Sequence, residues 1–266
     1  MTAQTIDEVL FQLEHIIDES ISTNNRIGFF AALYYKVTAA VKDGIAKGRF
    51  ENGELMEKFD VLFANRYLGA LKAMKNNQPV TTSWKIAFEC AKSPSVLVLQ
   101  QLLLGMNAHI NLDLGIAAAE VSNGELDNIQ KDFDAINTII SSLTYEVLND
   151  IDRFSPLLSL MGLHYSNQTS ILIQFSIDNA RDGAWCFAED LVKKQGHEYN
   201  SCIEQRDKTI NTLAKGLIYN RGLMQLTIWL IHLFEWKKPG KIIKAMHEGI
   251  KQKIIVNNSQ SETYVN

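Results

Sequence analysis

The chain has 266 residues, close to the upper size of a single hydrophobic core, and its 46% apolar and 21% charged residues are those of an ordinary folded globular protein. A formal charge of -4 leaves no basic excess to neutralise phosphates, which argues against nucleic-acid binding. Four prolines and 15 glycines are too few for the many turns of a β-rich fold.

The three cysteines, Cys90, Cys186 and Cys202, are odd in number, far apart and in no C-x-x-C pattern. They argue against a disulfide scaffold or a zinc knuckle and fit a reducing, cytoplasmic setting. The N-terminus is acidic and amphipathic, without the basic start and apolar centre of a signal peptide.

Helical periodicity dominates the chain. Ile6, Val9, Leu10, Leu13, Ile16 and Ile17 recur at helical spacing, so residues 5–20 are expected as an amphipathic helix. Thr5 and Glu8 are placed to form its capping box. A second helix is expected from Phe29 to Lys47 and a third from Gly53 to Lys75, where Asn-Asn-Gln-Pro breaks it. A short helix over Ser83–Ala91 stops before Ser93-Pro94, because the residue ahead of proline avoids the α region.

The next segment, about 95–121, is expected to start on Ser95 and end at Asn123-Gly124. Val96, Leu97, Val98, Leu99, Leu102, Leu103, Leu104, Met106, Ile110, Leu112, Leu114 and Ile116 cover every face of it. A helix apolar all round is enclosed by other helices. Gln100, Gln101, Asn107, His109 and Asp113 would be costly in a bilayer, so it reads as a core helix and not a membrane span. Further helices are expected at about 125–152, 155–164, 168–194, 202–220, 222–236 and 239–255. The expected architecture is a single all-α domain over residues 1–255. It is a bundle of nine to eleven helices around the central one, with a frayed tail over 256–266.

The chemistry, if any, would be on the central helix. Positions four apart stack on one face, which pairs His109 with Asp113 and, on a different face, Asn107 with Asn111. A buried carboxylate is expensive unless paired or hydrogen-bonded, so Asp113 needs partners from other helices. Three readings of the His109–Asp113 pair are open. It is a buried network that fixes helix register, or an acid–base pair with His109 as proton carrier, or two ligands of a metal site that still needs a third. No Glu-x-x-His repeat supports a di-iron bundle.

Other polar residues lie in apolar helical stretches: Tyr34 with Thr38, Arg66 with Tyr67, and Arg181 with Asp178 and Trp185. An inward arginine needs a carboxylate or an anionic ligand. Asp150 and Asp152 point apart and read as helix-end residues. His232 reads as buried with a satisfied ring. Lys237, Lys238, Lys241 and Lys244 form a local basic cluster that reads as a solvated last helix. No Gly-rich phosphate loop, G-x-S-x-G elbow or H-E-x-x-H occurs.

The segment Asn107, Ala108, His109, Ile110, Asn111, Leu112, Asp113, Leu114 resembles the N-A-H-I-N-x-D-L hallmark of the bacterial domain-of-unknown-function family 5995. Arg181, Ala184 and Trp185 fit its R-x-x-A-W element, and the similarity spans roughly residues 5–235. The resemblance implies an all-α fold and points to the same polar set; it implies no activity.

The residues therefore lead to an enzyme with an enclosed, largely apolar pocket and no cofactor. His109 and Asp113 would transfer the proton, and Arg66, Tyr67, Tyr34, Arg181 and Trp185 would hold a small to medium apolar substrate in cyclase, isomerase, lyase or hydrolase chemistry. Asn107 and Asn111 are expected to be structural. The alternatives are a non-catalytic binding protein for an apolar ligand or partner, with the polar set as a lock, and a metal-dependent enzyme.

Overall fold

The computed structural model describes residues 2–160, 177–219 and 223–248. Its helices are α1 (Ile6–Thr23), α2 (Gly28–Ala46), α3 (Gly53–Lys75), α4 (Thr82–Ala91), α5 (Val98–Ser122), α6 (Gln130–Asp150), α7 (Leu157–Leu160), α8 (Ile177–Leu191), α9 (Gly196–Ile218) and α10 (Leu223–Phe234). Residues 239–248 are also helical, and no strand occurs among the described residues. The protein is all-α, as the periodicity predicts. The expected helices at 155–164 and 168–194 are described only in part, because residues 161–176, with His164, lie outside the described residues. So do the tail at 256–266 and the side chains of Asp150 and Asp152.

α5 is the axis of the structure. Every residue from Val98 to Ser122 is buried except Glu120, and α2, α3, α4, α8 and α9 pack around it. It is long and apolar enough to cross a bilayer, yet the other helices cover it. Each fully buried Leu or Ile side chain contributes about 1.5–3 kcal/mol by leaving water, so this one element supplies much of the apolar driving force.

The helix begins at Val98, not at Ser95. Ser93 and Ser95 instead share a hydrogen bond of 2.9 Å between their hydroxyls in the turn around Pro94. The cap comes from far along the chain. The buried Glu235 carboxylate accepts the Val98 N–H at 3.1 Å, and the Gln100 side chain accepts the Leu97 N–H at 3.0 Å. At the other end Asn123, at φ 50°, and Gly124, at φ 93°, turn the chain away as expected.

The same device recurs. Asp132 in α6 accepts the Glu51 and Asn52 N–H groups at 2.7 and 3.0 Å, just ahead of α3. Asp207 in α9 accepts the Thr82 and Ser83 N–H groups at 2.6 and 3.0 Å, at the start of α4. Helix N-termini present orphan donors and a positive dipole end, so a carboxylate from a neighbouring helix satisfies both. Local caps also occur: Asn52 accepts the Leu55 N–H of α3 at 3.0 Å, and at α1 Thr5 accepts the Glu8 N–H at 3.2 Å as expected, while the Glu8 carboxylate reaches the Gln4 N–H instead of that of Thr5. α9 starts at Gly196 and not at 202, because its first turns are exposed and carry little apolar periodicity to read.

Gly115 lets α8 approach α5. A Cβ there would lie 2.6 Å from the Ala184 carbonyl oxygen and 2.8 Å from the Phe187 ring. Gly115→Ala is expected to destabilise the protein by about 2–3 kcal/mol in denaturant unfolding, because backbone must move. Gly69→Ala on the exposed side of α3, where a Cβ meets nothing within 4 Å, should instead stabilise it by about 0.5–1 kcal/mol.

Candidate functional site

The hydrogen-bond ladder of α5 changes over His109–Asp113, which form a π turn; the Leu114 N–H donates to the His109 carbonyl. The extra residue rotates everything after it by roughly 100° relative to an unbroken α-helix. Such turns are rare within α-helices and occur frequently at functional sites. Arg206 from α9 supports this one from outside, its Nε donating to the Asn111 carbonyl at 2.9 Å.

Within this turn His109 lies against Asp113, with Nδ1 and Oδ2 3.1 Å apart. Asp113 accepts two further donors. Trp84 Nε1 of α4 donates to Oδ2 at 2.8 Å, and Arg66 Nε of α3 donates to Oδ1 at 3.3 Å. The Arg66 side chain is 30% exposed, and its other end lies 3.9 Å from Glu120, so it links the buried aspartate to the surface. Because Asp113 is the acceptor for its neighbours, His109 Nδ1 carries the proton, and Nε2 of the neutral ring holds a lone pair. Burial lowers the imidazole pKa, against the raising effect of the Asp113 hydrogen bond and charge, and so favours the neutral form. Nε2 is buried and has no hydrogen-bond partner.

Aromatic rings fix the imidazole plane. Phe63 stacks on it at 3.7 Å and 7°, and Tyr34 meets it edge-on at 4.6 Å. Phe30, Trp84 and Tyr67 complete the surround at 5.8, 5.9 and 6.2 Å between centroids. His109 lines an apolar cavity of about 30 Å³ with Tyr34, Phe63 and Met106. Two smaller voids adjoin the same rings: one of about 20 Å³ beside Tyr67 and Trp84, the other of about 10 Å³ beside Asp60 and Phe63. The cavity at His109 has room for a water, not for a small-molecule substrate.

Of the residues singled out in the sequence, the structure brings together His109, Asp113, Arg66, Tyr67 and Tyr34. Arg181 and Trp185 do not join them: Arg181 pairs with Asp178 at 3.4 Å, and Trp185 donates to Glu189 at 3.1 Å and packs on Phe133. Asn111 donates to Asn107 at 3.1 Å, and Asn107 donates to the Ile210 carbonyl of α9 at 3.1 Å, which ties α5 to α9. His232 is only half-buried, and its Nδ1 lacks a partner, against the satisfied ring expected. For a metal, the pair offers two ligands, but Trp84 and the Arg66 cation already occupy the carboxylate. Among the described residues no group of three His, Cys, Asp or Glu side chains could hold an ion.

The sequence reading missed Trp84, Phe63, Glu120, Arg206 and Asp60. Asp60 carried the clearest signal, a lone carboxylate in the apolar stretch Phe59–Phe63. It is buried, its Oδ2 has no partner, and burial, with Glu57 nearby, pushes its pKa up to about 7. Tyr34 and Tyr67 are likewise raised by burial and stay protonated, with Thr38 one turn along moderating Tyr34.

The Asp60 shift makes stability depend on pH. Its folded pKa of about 7 lies above the ordinary 3.8, so between these values the folded state holds a proton that the unfolded state has lost. Stability from this group therefore falls as pH rises from about 4 to about 7, by about 2–4 kcal/mol. His109 acts oppositely, since its lowered pKa removes stability as pH falls below 6.5. The difference in unfolding free energy between wild type and Asp60→Asn isolates the aspartate and should shrink steadily over pH 4–7; a difference independent of pH would contradict the buried protonated acid.

No curated protein and no solved structure matches the chain. A family model does match, over residues 6–220, a span that covers α1 through α9 and contains His109, Asp113 and every residue that contacts them. The chain belongs to the DUF5995 family, a family of unknown function.

Proposed function

We propose that the protein is an enzyme that performs acid–base chemistry on a small to medium, largely apolar substrate, with His109 Nε2 taking and returning the proton and Asp113 orienting the ring. The observation that carries this reading is the unpartnered Nε2 beside a cavity, on an imidazole whose Nδ1 is held by a carboxylate with two further donors. An orphaned buried nitrogen costs about 1–3 kcal/mol, and a purely structural histidine would gain by pairing it. Nδ1–H bound to a carboxylate and a bare Nε2 are what a general base requires. The Tyr67 and Tyr34 hydroxyls, held protonated, supply hydrogen-bond donors, and protonated Asp60 adds an acid in the adjoining void. Cyclisation, isomerisation, elimination and hydrolysis all use such a base. With room for a water at His109, hydrolysis is the reaction whose small reactant the closed site already accommodates. A larger substrate enters by separation of the helices around the cavity. The free cysteines Cys90, Cys186 and Cys202 support a reducing, cytoplasmic setting.

The second reading is a non-catalytic binding protein in which the pair locks α5. The tight stack of His109 on Phe63 favours it. Chemical reactivity separates the two without a known substrate. If the site opens to admit substrate, diethyl pyrocarbonate should modify His109 faster than the protein unfolds globally, read by peptide mass mapping, and ¹⁵N NMR should show Nε2 unprotonated. Modification no faster than global unfolding, or a proton on Nε2, would sink the enzyme reading. Once a substrate is found, His109→Ala and Asp113→Asn should each lower turnover by about 100- to 10,000-fold.

A further inference from the structure

α10, Leu223–Phe234, is a surface helix without a single charged residue. Its inner side is fixed: Ile231 is fully buried, Glu235 just beyond it is buried as the cap of α5, and the Trp236 N–H donates to the Phe154 carbonyl at 2.8 Å. Its outer side is apolar. Leu226, Trp229 and Leu233, spaced as one helical face, are 51%, 54% and 50% exposed, and Phe234 and Trp236 at its end are 59% and 43% exposed. A helix apolar all round belongs in an interior, so this exposed face calls for a partner.

The flanking charge identifies the partner's chemistry. Lys237 and Lys238 follow Trp236 directly, and Lys241 and Lys244 stand exposed three residues apart on the next helical stretch. The Lys237 ammonium donates to the His232 carbonyl, which keeps it at the end of the apolar face. Lys237 to Lys244 place four lysines within eight residues, Lys244 alone of them ion-paired among the described residues, with Glu248 at 3.5 Å, on a chain whose formal charge is -4. We infer that this face is a docking surface for an anionic lipid bilayer, with Trp229, Leu233 and Phe234 entering the interface and the lysines meeting the phosphate headgroups. Tryptophan and leucine beside lysine are the residue types that seat a helix in the bilayer interface without spanning it. A second copy of the chain is the poorer occupant, because α10 on that copy carries no carboxylate to meet the lysines.

The test is sedimentation of the full chain with vesicles of phosphatidylcholine alone or mixed with phosphatidylserine. Binding is expected to the mixed vesicles only and to weaken with added salt. Trp229→Ala/Leu233→Ala and, separately, Lys237→Glu/Lys238→Glu should each reduce it about tenfold or more, with circular dichroism unchanged. Brominated lipid should quench tryptophan fluorescence in wild type and much less in Trp229→Phe/Trp236→Phe. The inference is overturned if the chain binds neither vesicle. It is equally overturned if neutral vesicles bind as well and the lysine changes have no effect, or if the apolar changes alter only the oligomeric state or the capture of an acidic protein.

Discussion

A helix sealed from water along almost its whole length must find partners elsewhere in the chain for each polar side chain it carries and for its first N–H groups. α5 is such a helix, and the rest of the bundle is arranged around that constraint. Glu235 receives its first N–H, Gln100 donates to the Leu217 carbonyl at 2.7 Å, and Asn107 donates to that of Ile210. Trp84 and Arg66 serve Asp113, and Arg206 serves the carbonyl freed within the π turn. Apolar burial is non-directional and would tolerate α5 sliding or turning among its neighbours. These bonds would not, because a one-residue slip leaves several buried polar groups unpaired at about 1–3 kcal/mol each. The hydrophobic term makes the bundle compact, and the polar contacts give it one register.

Within that register His109 and Asp113 meet inside the π turn. Two costs meet here, a distorted helix and an imidazole nitrogen without a partner. The surrounding rings hold the imidazole to one orientation, with Phe63 parallel and Tyr34 perpendicular to it. Arg66 offsets the buried charge of Asp113 while reaching the surface at Glu120. A structure that bears such costs beside a cavity spends stability in the place where a reaction would use it.

How much of this was legible follows from distance along the chain. The helix apolar on all faces, its burial and the His109–Asp113 stack are local patterns, and all three stood in the sequence. So did the ending at Asn123-Gly124, since a left-handed residue closes a helix by itself. The beginning did not: a serine beside a proline looks like a cap, while the carboxylate that does the work is 137 residues away. Trp84 was hidden for the same reason, because nothing in its own short helix announces that its indole faces Asp113. The π turn has no local signature at all. Arg181 and Trp185 misled because an arginine among apolar neighbours suggested an inward ligand, whereas Asp178 and Glu189 on the same helix already supply both partners.

Burial also sets the protonation of the site from two sides. Desolvation opposes charge whatever its sign, so it lowers the pKa of His109 and raises that of Asp60. Near neutral pH the result is an uncharged base and an only partly ionised acid in adjoining voids that share Phe63 as a wall. Three donors, one of them a guanidinium, converge on Asp113. One apolar core thereby holds a carboxylate bonded to the imidazole, an imidazole with a bare Nε2 and a carboxyl that burial makes slow to ionise. A proton acceptor and a proton donor that coexist at one pH are what the proposed acid–base chemistry requires.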